Sequence, residues 1–399
     1  MRKILGSLVV LGAMAAQADT LRFTVAYYSP ATQPYFEKMA RQFESTHPGH
    51  RIKIEMAGWD GLQKKLQADL EQGRNADIAI VGTRWLLDYV KHDQLEPLDR
   101  YMSSEFEGRF IGTFLEPSQI DNKTWGLPIA ASARAMYYNK RLLTQAGFPD
   151  GPKTWDDVVT ASRKIKTSGG YGFGLQGKDI ETDIYWYYAL WSFGGEVVVG
   201  KWPTFANTPG VKAATLYKQM IDEGLTQPNV TQYSREDVGN LFKKGNLGMV
   251  ISAPFLINQL KAEAPGMQYG IAPIPTQQRG ATYAVTDSVV MFRNARNKVL
   301  AWQFLDFLFT KEPRIGFTAG EGFLPTTKDE ASAPHFTGNP RLQTFVKLLP
   351  YAKFAPTVTG WEDTAKAVSD AMQAIYTGKA EPAAALKQAS KAATAVLGQ

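Results

Sequence analysis

GLPIAASARAMYYNKRLLTQAGFPDGPKTWDDVV, residues 126–159, decides how this chain folds. It opens on a short strand-like run, Gly126 to Ala131, and a second apolar run, Ala135-Met136-Tyr137-Tyr138, follows a brief break. A helix is expected from about Lys140 to Gly147, because glycine tolerates the left-handed conformation that ends helices. Phe148-Pro149 and Gly151-Pro152 then make a rigid exit. Thr154 is placed to cap the next helix, and Asp156 and Asp157 fall in its first turn, where negative charge meets the positive end of the helix dipole.

Upstream the chain alternates strand and helix. LRFTVAYY, from Leu21, reads as a strand, and a helix from about Pro34 to Ser45 carries Phe36, Met39, Ala40 and Phe43 on one face. Arg51 to Met56 alternates like a strand, Gly61 to Gln72 reads as a helix, and Asp77 to Val81 as a short buried strand. This β-α-β-α-β order implies an α/β fold of parallel sheets with right-handed crossovers. Ligand crevices of open sheets lie beyond the carboxyl ends of the strands. That rule singles out Tyr27 to Thr32, Trp59-Asp60, and Gly82 to Trp85.

At 399 residues the chain is long enough for two sizeable lobes, and 44% apolar with 21% charged residues is the composition of an ordinary globular protein. Arg2 and Lys3, the apolar run Ile4 to Met14, and Ala16-Gln17-Ala18 read as a cleavable signal peptide over residues 1–18. No cysteine is present, so neither disulfides nor a lipid-anchored cysteine is expected, and the reading is a free periplasmic protein. The net charge of +6 is interspersed rather than striped, which argues against nucleic acid as a partner.

Catalytic signatures are lacking. The four His have no H-E-x-x-H spacing, no G-x-S-x-G elbow occurs, and neither a metal site nor a cofactor is expected. Gly172 to Gly177 matches G-x-G-x-x-G, but no apolar strand precedes it and Asp179 stands where a phosphate loop needs Ser or Thr. A glycosidase needs only two placed carboxylates, which no pattern here marks.

The order LPxxxxxxxxYYNKxLLxxAG…PKTWDD, from Leu127 to Asp157, resembles the domain-crossing segment of bacterial extracellular solute-binding proteins, family 1. These are the sugar-binding receptors of ABC importers, the maltodextrin-binding kind included. The resemblance implies a two-lobed fold, each lobe a mainly parallel sheet flanked by helices, joined by a multi-crossing hinge near Pro128 to Arg134. It implies an N-lobe of residues 19–128 and 277–320 and a C-lobe of 129–276 and 321–399. Tyr269 to Pro275 and Gly320 to Thr326 resemble the second and third crossings.

A carbohydrate offers C–H-rich faces and a rim of hydroxyls, so its receptor needs aromatic platforms beside charged or amide groups. Trp59 with Asp60 and Arg84 with Trp85 supply both at strand ends, and Ser132 and Arg134 lie at the crossing. In the aromatic helix DIYWYYALWSFGG, the resemblance points to Asp183, Trp186 and Tyr187. It points also to Phe255, where relatives carry a stacking Trp, to Gly322 in the third crossing, and to Trp361. Asp287, among apolar residues, needs a polar partner that a sugar hydroxyl would supply. The expected function is capture of a mono- or oligosaccharide or polyol and delivery to an ABC transporter permease, by a monomeric, non-catalytic protein. Arg84 and Arg134 motivate the alternative of an anionic sugar derivative; a secreted glycosidase is the remote one.

Overall fold

The computed structural model describes residues 19–178 and 181–397. The expected signal peptide, 1–18, and Asp179 lie outside the described residues. Two open sheets organise the molecule. The first runs, edge to edge, through His50–Ala57, Asp19–Ala26, Ile78–Gly82, Val285–Met291 and Leu127–Ser132. The second runs through Tyr269–Ala272, Ala135–Asn139, Leu247–Ser252 and Tyr171–Gly174.

The expectation of mainly parallel sheets holds with one consistent exception per sheet. Asp19–Ala26 pairs in parallel with both His50–Ala57 and Ile78–Gly82, but Val285–Met291 runs against both its neighbours. In the second sheet Ala135–Asn139 is the strand that runs against its neighbours. Each reversed strand is the one by which the chain enters that sheet from the other. It arrives without a crossover helix, and antiparallel pairing needs none.

Alternation along the second sheet's strands feeds two cores. Met136 and Tyr138 face one cluster, which contains Trp155, Trp186 and Tyr217. Tyr137 faces the other, with Phe242 and Phe345. Close approach is built in: a Cβ on Gly270 would lie 2.1 Å from the Tyr138 ring, so only glycine fits opposite that tyrosine. The first sheet carries its own cluster, in which Phe36 and Phe43 of the helix Thr32–Thr46 pack on Phe23 and Phe304.

Local signals in the deciding stretch translate directly. Asn139 caps the helix Lys140–Gln145, and Gly147 follows it with φ +86°. Thr154 and Asp157 form a reciprocal capping box on the helix Trp155–Thr167. Ser234 and Asp237 do the same for Arg235–Lys243. Gly172 sits inside a sheet strand and the next helix begins only at Thr182, so the glycine run does not open a helix.

The chain leaves the first sheet at Ser132 and joins the second at Ala135, with Ala133-Arg134 between. That short bridge is pinned to the returning segment: the Arg134 N–H donates to Thr282 Oγ1 at 2.9 Å, and that hydroxyl donates back to the Arg134 carbonyl at 2.7 Å. The third crossing follows the helix Lys311–Glu321, turns at Gly322 with φ +81°, and the Leu324 N–H donates to the Ala131 carbonyl at 2.8 Å. Phe323 belongs to the first lobe's core and Leu324 to the second lobe's.

Candidate functional site

The carboxyl ends of both sheets' strands open on one cavity of about 900 Å³. Several of the strands contribute the loop that follows them, as an open α/β sheet dictates, and the reversed strand Val285–Met291 contributes its start. Tyr27 and Tyr28 follow Asp19–Ala26, Trp59 and Asp60 follow His50–Ala57, and Arg84 and Trp85 follow Ile78–Gly82. From the second lobe come Glu181, Arg235 and Phe255, while Arg134 and Tyr283 come from the crossings.

One wall is aromatic. Trp59, half-buried, tilts against Tyr28 with ring centroids 5.6 Å apart and meets Trp85 edge-on at 5.8 Å. Across the cavity Phe255 opens the helix Phe255–Glu263 and touches the cores of both lobes. The Arg235 guanidinium sits 5.0 Å over its ring, a cation–π contact.

The polar groups form two ion-pair clusters. Arg84 Nε and Nη2 fork onto Glu362 Oε1 and Oε2 at 2.5 and 2.7 Å, and Nη1 lies 3.9 Å from Asp183 Oδ2. Arg134, buried, donates to Glu181 Oε1 at 2.8 Å and to Ser132 Oγ at 2.6 Å. Arg235 reaches the same Glu181 oxygen at 3.4 Å. Burial pushes the Glu181 carboxyl up, but Arg235 and Arg134 together hold it below the usual range.

Asp287 lies at a register shift in Val285–Met291 and accepts from the Tyr28 hydroxyl at 3.0 Å. Burial pushes its carboxyl up to about 7, against that hydrogen bond and the charges of Arg134 and Arg235, with Glu181 adding to the rise. Glu321, also on the lining, accepts from Thr32 Oγ1 at 2.7 Å and is also raised by burial.

Of the residues singled out from the sequence, Trp59, Asp60, Arg84 and Trp85 line the cavity, as do Ser132, Arg134, Phe255 and Asp287. The others do not. Trp186 packs edge-on against Phe205 and Tyr187 lies between Trp191 and Trp361, all in the second lobe's core. Every residue of their helix, Thr182–Ser192, is buried, and of its residues Ile184 alone reaches the lining. Asp183 is fully buried behind Arg84, and Trp361 turns inward at the start of Trp361–Tyr376. Gly322 backs onto Phe255 and Asn258 rather than the opening. Glu181 and Arg235 are cavity residues that the sequence reading missed, and Tyr28 is one that it did not name individually. Tyr28 lay within the Tyr27–Thr32 loop that the strand-end rule marks; Glu181 and Arg235 carry no comparable local signal.

Two α/β lobes joined by three chain crossings, with charged and aromatic side chains converging between them, define a two-lobed binding protein of the periplasmic type. The chain belongs to the bacterial extracellular solute-binding protein family, whose model matches residues 29–315. It is 54% identical, over 99% of its length and 97% of the relative's, to a binding protein of Brucella abortus (strain 2308). It is 22% identical, over 88% of this chain and 84% of the relative, to the galactooligosaccharide-binding protein of Bacillus subtilis (strain 168). Its fold matches an ABC transporter solute-binding protein of Thermotoga lettingae TMO, solved with α-D-tagatose bound, at a TM-score of 0.88 with 22% identity, covering 94% of this chain and 99% of that one.

Proposed function

We propose that this protein captures a carbohydrate, either a sugar of one or more units or a polyol, between its lobes and presents it to an ABC transporter permease. The observation that carries this reading is the pairing of the Tyr28–Trp59–Trp85 aromatic wall with carboxylate and guanidinium groups in one cavity of about 900 Å³. Flat apolar faces suit the C–H faces of a pyranose, and charged acceptors and donors suit its hydroxyl rim. The volume lies in the range of small-molecule sites and leaves room for more than one sugar unit.

The names of its relatives support a sugar ligand, since one is a galactooligosaccharide-binding protein and one was solved with a ketohexose. We place the protein in the periplasm as a free monomer, with lobes dividing near the boundaries expected from the sequence. Sheet membership favours a first division at Ala133-Arg134 rather than after residue 128. We read it as non-catalytic, a reading that its family and the binding-protein names of its relatives support.

Tryptophan fluorescence and melting temperature of the purified protein against glucose, galactose, maltose, maltotriose, lactose, cellobiose and sorbitol test the reading. Trp59 and Trp85 flank the cavity, so binding is expected to give a saturable emission shift and a rise in melting temperature. Release of the sugar unchanged, checked by chromatography, distinguishes a receptor from a glycosidase.

A further inference from the structure

Three arginines reach the cavity, and at first sight they invite an anion. Their partners say otherwise. Arg84 spends one edge of its guanidinium on both oxygens of Glu362, with Asp183 behind. Arg134 is bound to Glu181 and Ser132. Arg235 shares the same Glu181 oxygen and lays its plane on Phe255. The fourth cation on the lining, Lys178, is exposed at the rim.

Carboxylates outnumber cations along the lining, and Asp287, Glu321 and Glu181 face the same space as the aromatic wall. An entering anion would therefore compete with a protein carboxylate for an arginine or approach Asp287 directly. Both are costly where water is largely excluded, because a carboxylate left without its arginine keeps its desolvation cost. A neutral polyhydroxylated molecule meets no such conflict and can use the remaining lone pairs and N–H groups.

We propose that Glu181 and Glu362, paired with Arg134, Arg235 and Arg84 in a lining where carboxylates outnumber cations, set the charge class of the ligand, so that the cavity accepts neutral polyols and sugars and rejects their acids and phosphates. This rests on the carbohydrate reading above and narrows it. The two glutamates act as built-in occupants of the sites that an anionic ligand would otherwise take.

The test uses wild-type protein, Glu181→Gln, Glu181→Asp and Glu362→Gln. Each is titrated with the neutral sugars named above and with glucuronate, galacturonate, glucose 6-phosphate and glycerol 3-phosphate, at low and high salt. The readout is the ratio of affinity for charged to neutral ligands. Wild type should bind a neutral member, and Glu181→Gln should raise the ratio by about tenfold or more, the worth of one freed charge-assisted hydrogen bond. That gain should weaken with salt and be missing in Glu181→Asp, which keeps the charge. Glu362→Gln, which frees a different arginine, should raise the ratio independently and decides the matter if Glu181→Gln fails to fold. Salt-sensitive binding of a charged sugar by wild type would overturn the inference and leave the receptor reading intact. Neutral binding with an unmoved ratio in the folded variants would overturn it equally. Silence of every protein towards every compound would overturn the carbohydrate reading, and this inference with it.

Discussion

Asp183 shows what a single side chain can be asked to tolerate. It is fully buried, with the Tyr187 hydroxyl and the Ile184 N–H beside its carboxylate, and Arg84 lies 3.9 Å away. Burial pushes its carboxyl up to about 7; Arg84 pulls against that rise and Glu362 adds to it. An unfolded aspartate titrates near 4, so folding holds a proton that the unfolded chain releases between about pH 4 and 7. The cost is absent below pH 4, grows as pH rises through that window, and is complete above it, at no more than about 4 kcal/mol. Asp183→Asn should therefore raise the melting temperature by several degrees at pH 8 and leave it nearly unchanged at pH 4. A variant less stable than wild type at pH 8 would show that Asp183 works as a stabilising counter-ion of Arg84. The same residue marks a limit of reading from sequence. Trp59, Arg84 and Trp85 were legible because they stand at strand ends, where topology puts the cleft. Asp183, Trp186 and Tyr187 lie on a helix buried all round, whose sequence has no polar face to say which side meets the ligand.

Elements were the most legible level. The capping box at Thr154 and Asp157, the glycine stop at Gly147 and the Ser234–Asp237 cap are chemical signals confined to a few residues, and tertiary packing did not override them. Sheet membership was less accessible. Val285–Met291 and Ala135–Asn139 run against their neighbours because the chain switches lobes there, a fact about long-range connection that hydrophobic periodicity does not encode. The Thr154 cap supplies a clean energetic test. Its hydroxyl accepts from the Asp157 N–H at 3.1 Å, and the Asp157 carboxylate accepts from the Thr154 N–H at 2.9 Å. Thr154→Ala should lower stability by about 1 kcal/mol, read as a shift in the urea midpoint with an unchanged slope. No residue of Trp155–Thr167 lines the cavity, so the fluorescence response to a bound sugar should survive. A loss of response with stability intact would mean that this helix positions the site after all.

At the scale of the whole molecule, the fork between Arg84 and Glu362 joins the lobes. Arg84 follows a strand of the first sheet, and Glu362 starts the helix Trp361–Tyr376, whose buried face packs into the second lobe's core. The two side chains meet at 2.5 and 2.7 Å, a direct link from one lobe to the other. The pair is about a fifth exposed, with side-chain accessibilities of 16% and 24%, so its attraction is neither fully screened nor free of desolvation cost. Such a link favours the lobe arrangement it spans, and on the proposed reading a ligand that binds this arrangement better than an open one adds to it. Removing it should shift the equilibrium towards open lobes, and every 1.4 kcal/mol so lost is about a tenfold change in population. Glu362→Ala should then show a larger radius of gyration than wild type in solution scattering without sugar. Saturating sugar should bring the two back to one value, with the variant needing more of it. An unchanged radius in the variant, at unchanged melting temperature, would mean that the hinge alone sets the angle. The ties of Arg134 to Thr282 and of Leu324 to Ala131 would then hold the lobes closed, and the Arg84–Glu362 fork would serve only to occupy Arg84.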